Sequence, residues 1–168
     1  VFLDGAIAHT SAIPVGGNHV TRDLARLLRV SFEEAERLKI ESARARADNV
    51  GEDEAVVVEL ADGSACEQVP LHLVAEIIEP RLEEIFTLVR NNVARAELLD
   101  RASAGVVLSG GGSQLPDTAE VASSVLDNLP VRVGSPRGVV GRTDTVASPV
   151  FATGVGLAIL AARDAETA

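Results

Sequence analysis

A short apolar strand that runs straight into a cluster of glycines constrains this chain more than any other feature. Ala104 to Leu108 reads as a buried strand, and Ser109-Gly110-Gly111-Gly112-Ser113 follows at once. A helix is expected from about Pro116, which suits a first helical position, to Asn128, and Val131 to Val133 reads as another strand. Strand, glycine turn, helix and strand in that order predict an α/β layered fold. In open α/β sheets ligands bind at the carboxyl ends of strands, and glycine lets a ligand approach the backbone closely. The same glycines also suit a tight turn that needs positive φ, and the residues alone leave both readings open. The turn lacks the Lys and Ser/Thr that follow the second glycine of a phosphate-cradling loop. If it meets a nucleotide, it meets the base and sugar.

The rest of the chain supplies a mixed set of elements. Val1 to Leu3 reads as a strand already under way, Asp4-Gly5 as a hairpin turn, and Ala6 to Val15 as the returning strand, running out into Gly16-Gly17. A strand that opens without a cap or start methionine leads us to expect more protein upstream. Val20, Leu24, Leu27 and Leu28 fall on one face of a helix, with Asn18 as its expected cap. Ser31 and Glu34 form an expected capping box for a second helix reaching about Arg44. Asp48 to Glu54 reads as a loop, and Ala55 to Leu60 and Ala65 to Val69 as a hairpin turned by Asp62-Gly63. Ile78, Leu82, Ile85, Val89, Val93 and Ala96 keep helical spacing. Pro80 interrupts that stripe, so a kink or restart is expected there, and with it a subdomain boundary. Gly134 to Thr145 reads as a loop. Ser148-Pro149 opens a last helix with Val150, Gly154, Leu157 and Leu160 along one side, and Gly154 and Gly156 suggest close packing against a neighbour.

Composition removes several functions. A net charge of −10 and no Trp or Tyr argue against a nucleic-acid partner. Cys66 stands alone, and His9, His19 and His72 have no ligand-spaced partners, which argues against a disulfide and against a metal site. No nucleophile stands with a base, since Ser109 and Ser113 lack an obvious nearby His. Of the 15 basic residues only Lys39 is a lysine, which suits either chance or a site that needs a compact, flexible ammonium. Glu36 and Lys39, three apart, share a helix face. A carboxylate there can accept from ribose hydroxyls and an ammonium can donate to ribose or base, and the pair equally suits a solvated ion pair. Gly16-Gly17, just before a helix, can admit a sugar or phosphate edge or merely connect strand to helix.

In this order these elements resemble the second half of the actin-like ATPase superfamily, and within it the FtsA family of bacterial cell-division proteins. The resemblance is carried by Asp4 to Arg46, including Ile13-Pro14-Val15-Gly16-Gly17-Asn18-His19-Val20-Thr21 and Glu36-Arg37-Leu38-Lys39. It is carried also by Ile78 to Ile85, by Val107 to Ser113 and by Pro149 to Leu157. It covers almost the whole chain, and residues 47–69 carry no motif. The Asn18 to Thr21 and Ile78 to Arg81 stretches are less like the pilus-assembly (PilM) and shape-determining (MreB) relatives. A sugar kinase would need a catalytic Asp that has no candidate here.

The resemblance implies an α/β, ribonuclease H-like lobe, a mixed sheet flanked by helices, with a small inserted α+β subdomain. Residues 1–16 and 80–168 would form the nucleotide-binding core (subdomain 2A) and residues 17–79 the insert (subdomain 2B). It implies ATP as cofactor. Gly110, Gly111, Gly112 and Ser113 would contact adenosine, Glu36 and Lys39 the ribose, and Gly16 and Gly17 would lie near the sugar. The phosphate loops and most Mg²⁺-positioning acids belong upstream of Val1, so no ATP hydrolysis is expected of this chain alone. Implied partners are the C-terminal tail of FtsZ, for which Arg44 and Arg46 are candidates, and further copies in a filament. The implied location is the cytoplasmic face of the membrane at the division site, reached through a helix outside this chain. A protein-interaction module without nucleotide binding is the alternative.

Overall fold

Asp4 and Gly5 both take positive φ, 52° and 82°, as a two-residue hairpin turn requires. The computed structural model describes residues 1–138 and 146–166. That turn closes β1 (Phe2–Leu3) on β2 (Ala6–Ile7), with Phe2 opposite Ile7 and Leu3 opposite Ala6. Val1 extends the pairing to Ala8 and His9 through backbone hydrogen bonds, but residues 8–15 are irregular rather than a strand reaching Val15. Helix α1 spans Gly17–Leu28 with Gly16 at its N-cap, not Asn18. The Gly16 N–H donates to His19 Nδ1 at 3.3 Å, so a side chain three residues on satisfies the cap residue's own backbone donor. Val20, Thr21 and Leu24 are buried, while Leu27 is 62% exposed and leaves the predicted stripe.

Helix α2 spans Phe32–Glu41 and ends earlier than predicted. Ser31 accepts from the Glu34 N–H at 3.0 Å, but the reciprocal half of the capping box is missing. Glu34 instead holds Arg37 through contacts of 2.6 and 2.8 Å and accepts from the Glu59 N–H at 3.2 Å. A full guanidinium partner outcompetes a single backbone donor. A single 3₁₀ turn, Ala47–Asn49, precedes the expected hairpin of β3 (Ala55–Glu59) and β4 (Cys66–Pro70).

Helix α3 runs from Leu71 to Arg95 and passes through Pro80 without a break. The predicted restart is absent because apolar burial lies on both sides. Val74, Ala75 and Ile78 before the proline and Leu82 and Phe86 after it are all buried. Each large apolar side chain contributes about 1.5–3 kcal/mol, against a proline cost of about 3 kcal/mol.

Strands β5 (Val106–Leu108) and β6 (Val131–Val133) pair in parallel, with α4 (Thr118–Val125) as the crossover that a parallel pair needs. Asp117, at φ 68°, caps α4, so Pro116 lies before the helix instead of in its first turn. A 3₁₀ turn, Pro149–Phe151, leads into α5 (Ala152–Glu166). The predicted loop at Gly134 to Thr145 falls partly outside the described residues. Among those described, strands form three two-stranded ladders, two antiparallel and one parallel. One core joins Val20 and Leu24 of α1, Leu38 of α2, Val58 and Val69 of the hairpin, Ile78 and Phe86 of α3, and Val121 of α4. Helix α3 touches both α1 and α4. Gly154 and Gly156 meet nothing within 4 Å of a would-be Cβ, so the close packing expected of α5 is not made here.

Candidate functional site

The start of α1 and the end of α2 meet at one polar cluster. Lys39 Nζ donates to Glu36 Oε2 at 2.5 Å, to Thr21 Oγ1 at 2.8 Å and, weakly, to the Gly17 carbonyl at 3.5 Å. Thr21 Oγ1 lies 2.5 Å from Glu36 Oε2 and 3.2 Å from the Gly17 carbonyl. The Lys39 side chain is only 12% exposed and that of Glu36 35%, so this is no solvated surface pair. Partial burial pushes the Glu36 carboxyl up, but hydrogen bonds from Lys39 and Thr21 and the Lys39 charge outweigh it. The group sits below the usual glutamate range. A negative, partly open carboxylate next to a fixed ammonium is suited to accepting hydroxyl protons.

Glycines frame that cluster. Gly16 has an extended backbone, φ −170°, and a Cβ there would meet nothing within 4 Å. A Cβ on Gly17 would come to 3.8 Å from Lys39 Nζ, an ordinary contact. Neither glycine is demanded by the chain's own packing, and a sugar edge brought against the backbone would supply a reason for both.

The second group forms the turn after β5. Gly110 has φ 86° and ψ 173°, a conformation that only glycine adopts without strain. It donates its N–H to the Pro149 carbonyl at 2.9 Å. Ser113 is 7% exposed and donates its hydroxyl to the Gly110 carbonyl at 2.7 Å. Gly111 and Gly112 sit in the 3₁₀ turn Gly111–Gln114. A Cβ would reach only Val150 Cγ2, at 4.0 Å from Gly111, and nothing near Gly112. The tight-turn reading therefore explains Gly110, and open space remains beside Gly111 and Gly112. Among the described residues no hydrogen bond or ion pair joins this turn to the Glu36 cluster. Gly17, Glu36 and Lys39 are brought together, with Gly16 beside them only as the preceding residue in the chain, and Gly110 to Ser113 form a separate group against the Pro149 turn.

Thr21 escaped the sequence reading. Its signal was a polar residue on the buried face of α1, beside Val20 and Leu24, where an apolar one is the norm. Arg44 and Arg46 are each engaged. Arg44 makes a two-pronged pair with Asp117 at 2.9 and 3.0 Å, and Arg46 lies 3.5 Å from Asp48 and 4.0 Å from Glu79. A cleft of about 600 Å³ beside Ser31, Glu34, Arg37 and Gly63 contains none of the expected site residues. Its wide mouth and acidic rim make it a poor nucleotide pocket. Among the described residues no group of His, Cys, Asp and Glu could hold a metal ion, and no helix is long and apolar enough to cross a membrane.

The fold is similar to that of MreB 5 of Spiroplasma citri in its AMPPNP-bound structure. The TM-score is 0.66 and the identity 15%, covering 97% of this chain and 49% of that one. The ADP-bound structure of the same protein gives 0.63 and 14%, covering 92% and 46%. The fold is thus that of the actin-like ATPases. In sequence, the chain is 40% identical to cell division protein FtsA of Pseudomonas aeruginosa over 157 residues, covering 94% of this chain and 37% of that one. It is 38% identical to that of Neisseria meningitidis, covering 94% and 38%, and 34% identical to that of Escherichia coli K12, covering 94% and 39%. The chain therefore spans less than two-fifths of the length of these relatives. The family model described as "Cell division protein FtsA" matches residues 1–156, and with it the chain belongs to the FtsA family.

Proposed function

We propose that this chain is the adenosine-gripping part of an ATP-binding, actin-like cell-division protein that links FtsZ filaments to the membrane. The observation that carries this reading is the closure of Glu36 and Lys39 on the Gly17 carbonyl and Thr21, between residues 15 to 22 positions apart. Glu36 and Lys39 would serve the ribose, Gly16 and Gly17 would admit the sugar edge, and Gly110 to Ser113 would face adenosine. The glycines at 16, 111 and 112, free of any packing demand, fit a ligand laid on the backbone. MreB 5 binds AMPPNP on the same fold, which supports the reading by analogy. Bound ATP would bring the phosphates and Mg²⁺, to be held mainly by residues outside this chain. Residues 17–79 would form the inserted subdomain, and residues 1–16 with 80–168 the core lobe. The FtsZ tail and further copies of the chain are the proposed partners. Since Arg44 and Arg46 already have carboxylate partners, an acidic tail would have to compete for them.

Titration of a fluorescent ATP analogue into the longest natural polypeptide that contains this chain tests the proposal. Wild type should bind, and Lys39→Ala should bind about tenfold more weakly, the loss expected for one charge-assisted contact, with the melting transition kept. No binding by wild type, or equal affinity in the variant, would return Glu36 and Lys39 to an internal ion pair.

A further inference from the structure

Thr21 is fully buried on α1, one turn beyond Gly17. Its hydroxyl has one proton and two lone pairs. The short 2.5 Å contact to Glu36 Oε2 takes the proton, and Lys39 Nζ donates into a lone pair from 2.8 Å. The ammonium has three protons, and three acceptors surround it, Glu36 Oε2, Thr21 Oγ1 and the Gly17 carbonyl. The Gly17 contact is weak at 3.5 Å and leaves that proton available to a ligand. Glu36 Oε1 has no hydrogen-bond partner among the described residues. The carboxylate is pinned through one oxygen and offers the other.

We propose that Thr21 is a positioning residue that sets ribose-hydroxyl recognition by Glu36, with Lys39 as the second brace on the same carboxylate oxygen. This rests on the nucleotide reading above. Two hydrogen bonds to Oε2, from different helices, stop the carboxylate from rotating. A fixed carboxylate oxygen accepts a ribose hydroxyl without first being ordered. A site built on such a contact rejects the analogue that lacks the hydroxyl, because its polar group is then left unpaired. The depressed Glu36 carboxyl agrees with two donors on one oxygen.

The test compares wild type with Thr21→Val, nearly isosteric but without the hydroxyl, and with Thr21→Ser, which keeps it. Affinities for ATP, 2′-deoxy-ATP and 3′-deoxy-ATP are measured, and the Glu36 carboxyl is titrated by ¹³C NMR without nucleotide. Wild type and Thr21→Ser should prefer ATP over at least one deoxy analogue by about tenfold, the scale of one hydrogen bond to a charged group. Thr21→Val should lose most of that preference, and its Glu36 carboxyl should titrate higher. Thr21→Ala is the second variant should the valine protein fail to fold, and it must lose the same preference. An equal loss for all three nucleotides, or an unmoved Glu36 titration, would overturn the inference. Wild-type preference kept intact in the variants would sink this inference alone, whereas no nucleotide binding by wild type would sink the proposed function together with it.

Discussion

Thr118 Oγ1 is buried at the start of α4 and has no hydrogen-bond partner among the described residues. A buried hydroxyl left unsatisfied costs about 1–3 kcal/mol, so Thr118→Val should raise stability by about 1 kcal/mol in urea denaturation. A lower midpoint for the variant would mean the hydroxyl is satisfied after all. Thr21 is the opposite case, a buried hydroxyl whose contacts are all used. Both threonines look alike in the sequence, each on a helix that also carries apolar residues. The Glu36 and Lys39 pair was legible because helix geometry puts positions three apart on one face. Thr21 was not, since its partners lie 15 and 18 positions away on another helix. A turn needing positive φ was one of two readings the glycine cluster left open, and Gly110 takes it at φ 86°.

Helix α4 and the segment after α2 are tied together by the Arg44–Asp117 pair, by Ala45 N–H donating to the Pro116 carbonyl at 3.0 Å, and by Asn49 with Glu120 at 3.3 Å. The Asp117 side chain is 7% exposed. The hydrogen bonds of Arg44 hold its carboxyl below the usual aspartate range against the opposing pull of burial. A carboxyl depressed in the folded state adds stability that is present above its unfolded pKa and lost as pH falls through the lower folded one. Glu34 and Glu36 are shifted the same way. The wild-type chain should therefore lose stability as pH drops below about 4. Asp117→Asn should be less stable at neutral pH and should show a shallower acid limb in thermal melts from pH 7 downward. Parallel acid limbs in the two proteins would remove Asp117 from the account. At this scale α1, α2 and the β3–β4 hairpin follow from capping residues, apolar spacing and an Asp-Gly turn. The restart expected at Pro80 is absent because a proline's local cost says nothing of the core on either side, and the cap expected at Asn18 falls at Gly16.

Across the whole molecule, one face is covered and another is not. The core runs along α3 between α1 and α4. Val107 and Val133 on the parallel ladder, Val150 and Phe151 on the turn before α5, and Leu157 and Leu160 on α5 are 41–63% exposed. Phe2 and Ile7 of the first hairpin are exposed by 71% and 70%. Apolar exposure on this scale marks a surface that associates, and a net charge of −10 opposes association only at range. The 168-residue chain by itself should bind a hydrophobic dye and sediment as more than a monomer. Leu157→Glu with Leu160→Glu should reduce both, and a monomeric, dye-free wild-type chain would contradict this. The α/β class, the hairpins and the glycine turn followed from the chain alone, because each depends on contacts a few residues apart. Three of the candidate site residues converge, Gly17 with Glu36 and Lys39, and that required the packing of α1 on α2. The same packing put Thr21 beneath Glu36, while burial on both sides of Pro80 made α3 continuous and the approach of α4 gave Arg44 a carboxylate 73 positions away. The strand that enters the glycines at 110 to 112 was legible as a possible ligand edge. Packing separated Gly110, which the turn itself needs, from Gly111 and Gly112, which stand beside open space, because positive φ is a local demand and free volume is a property of everything packed around a residue.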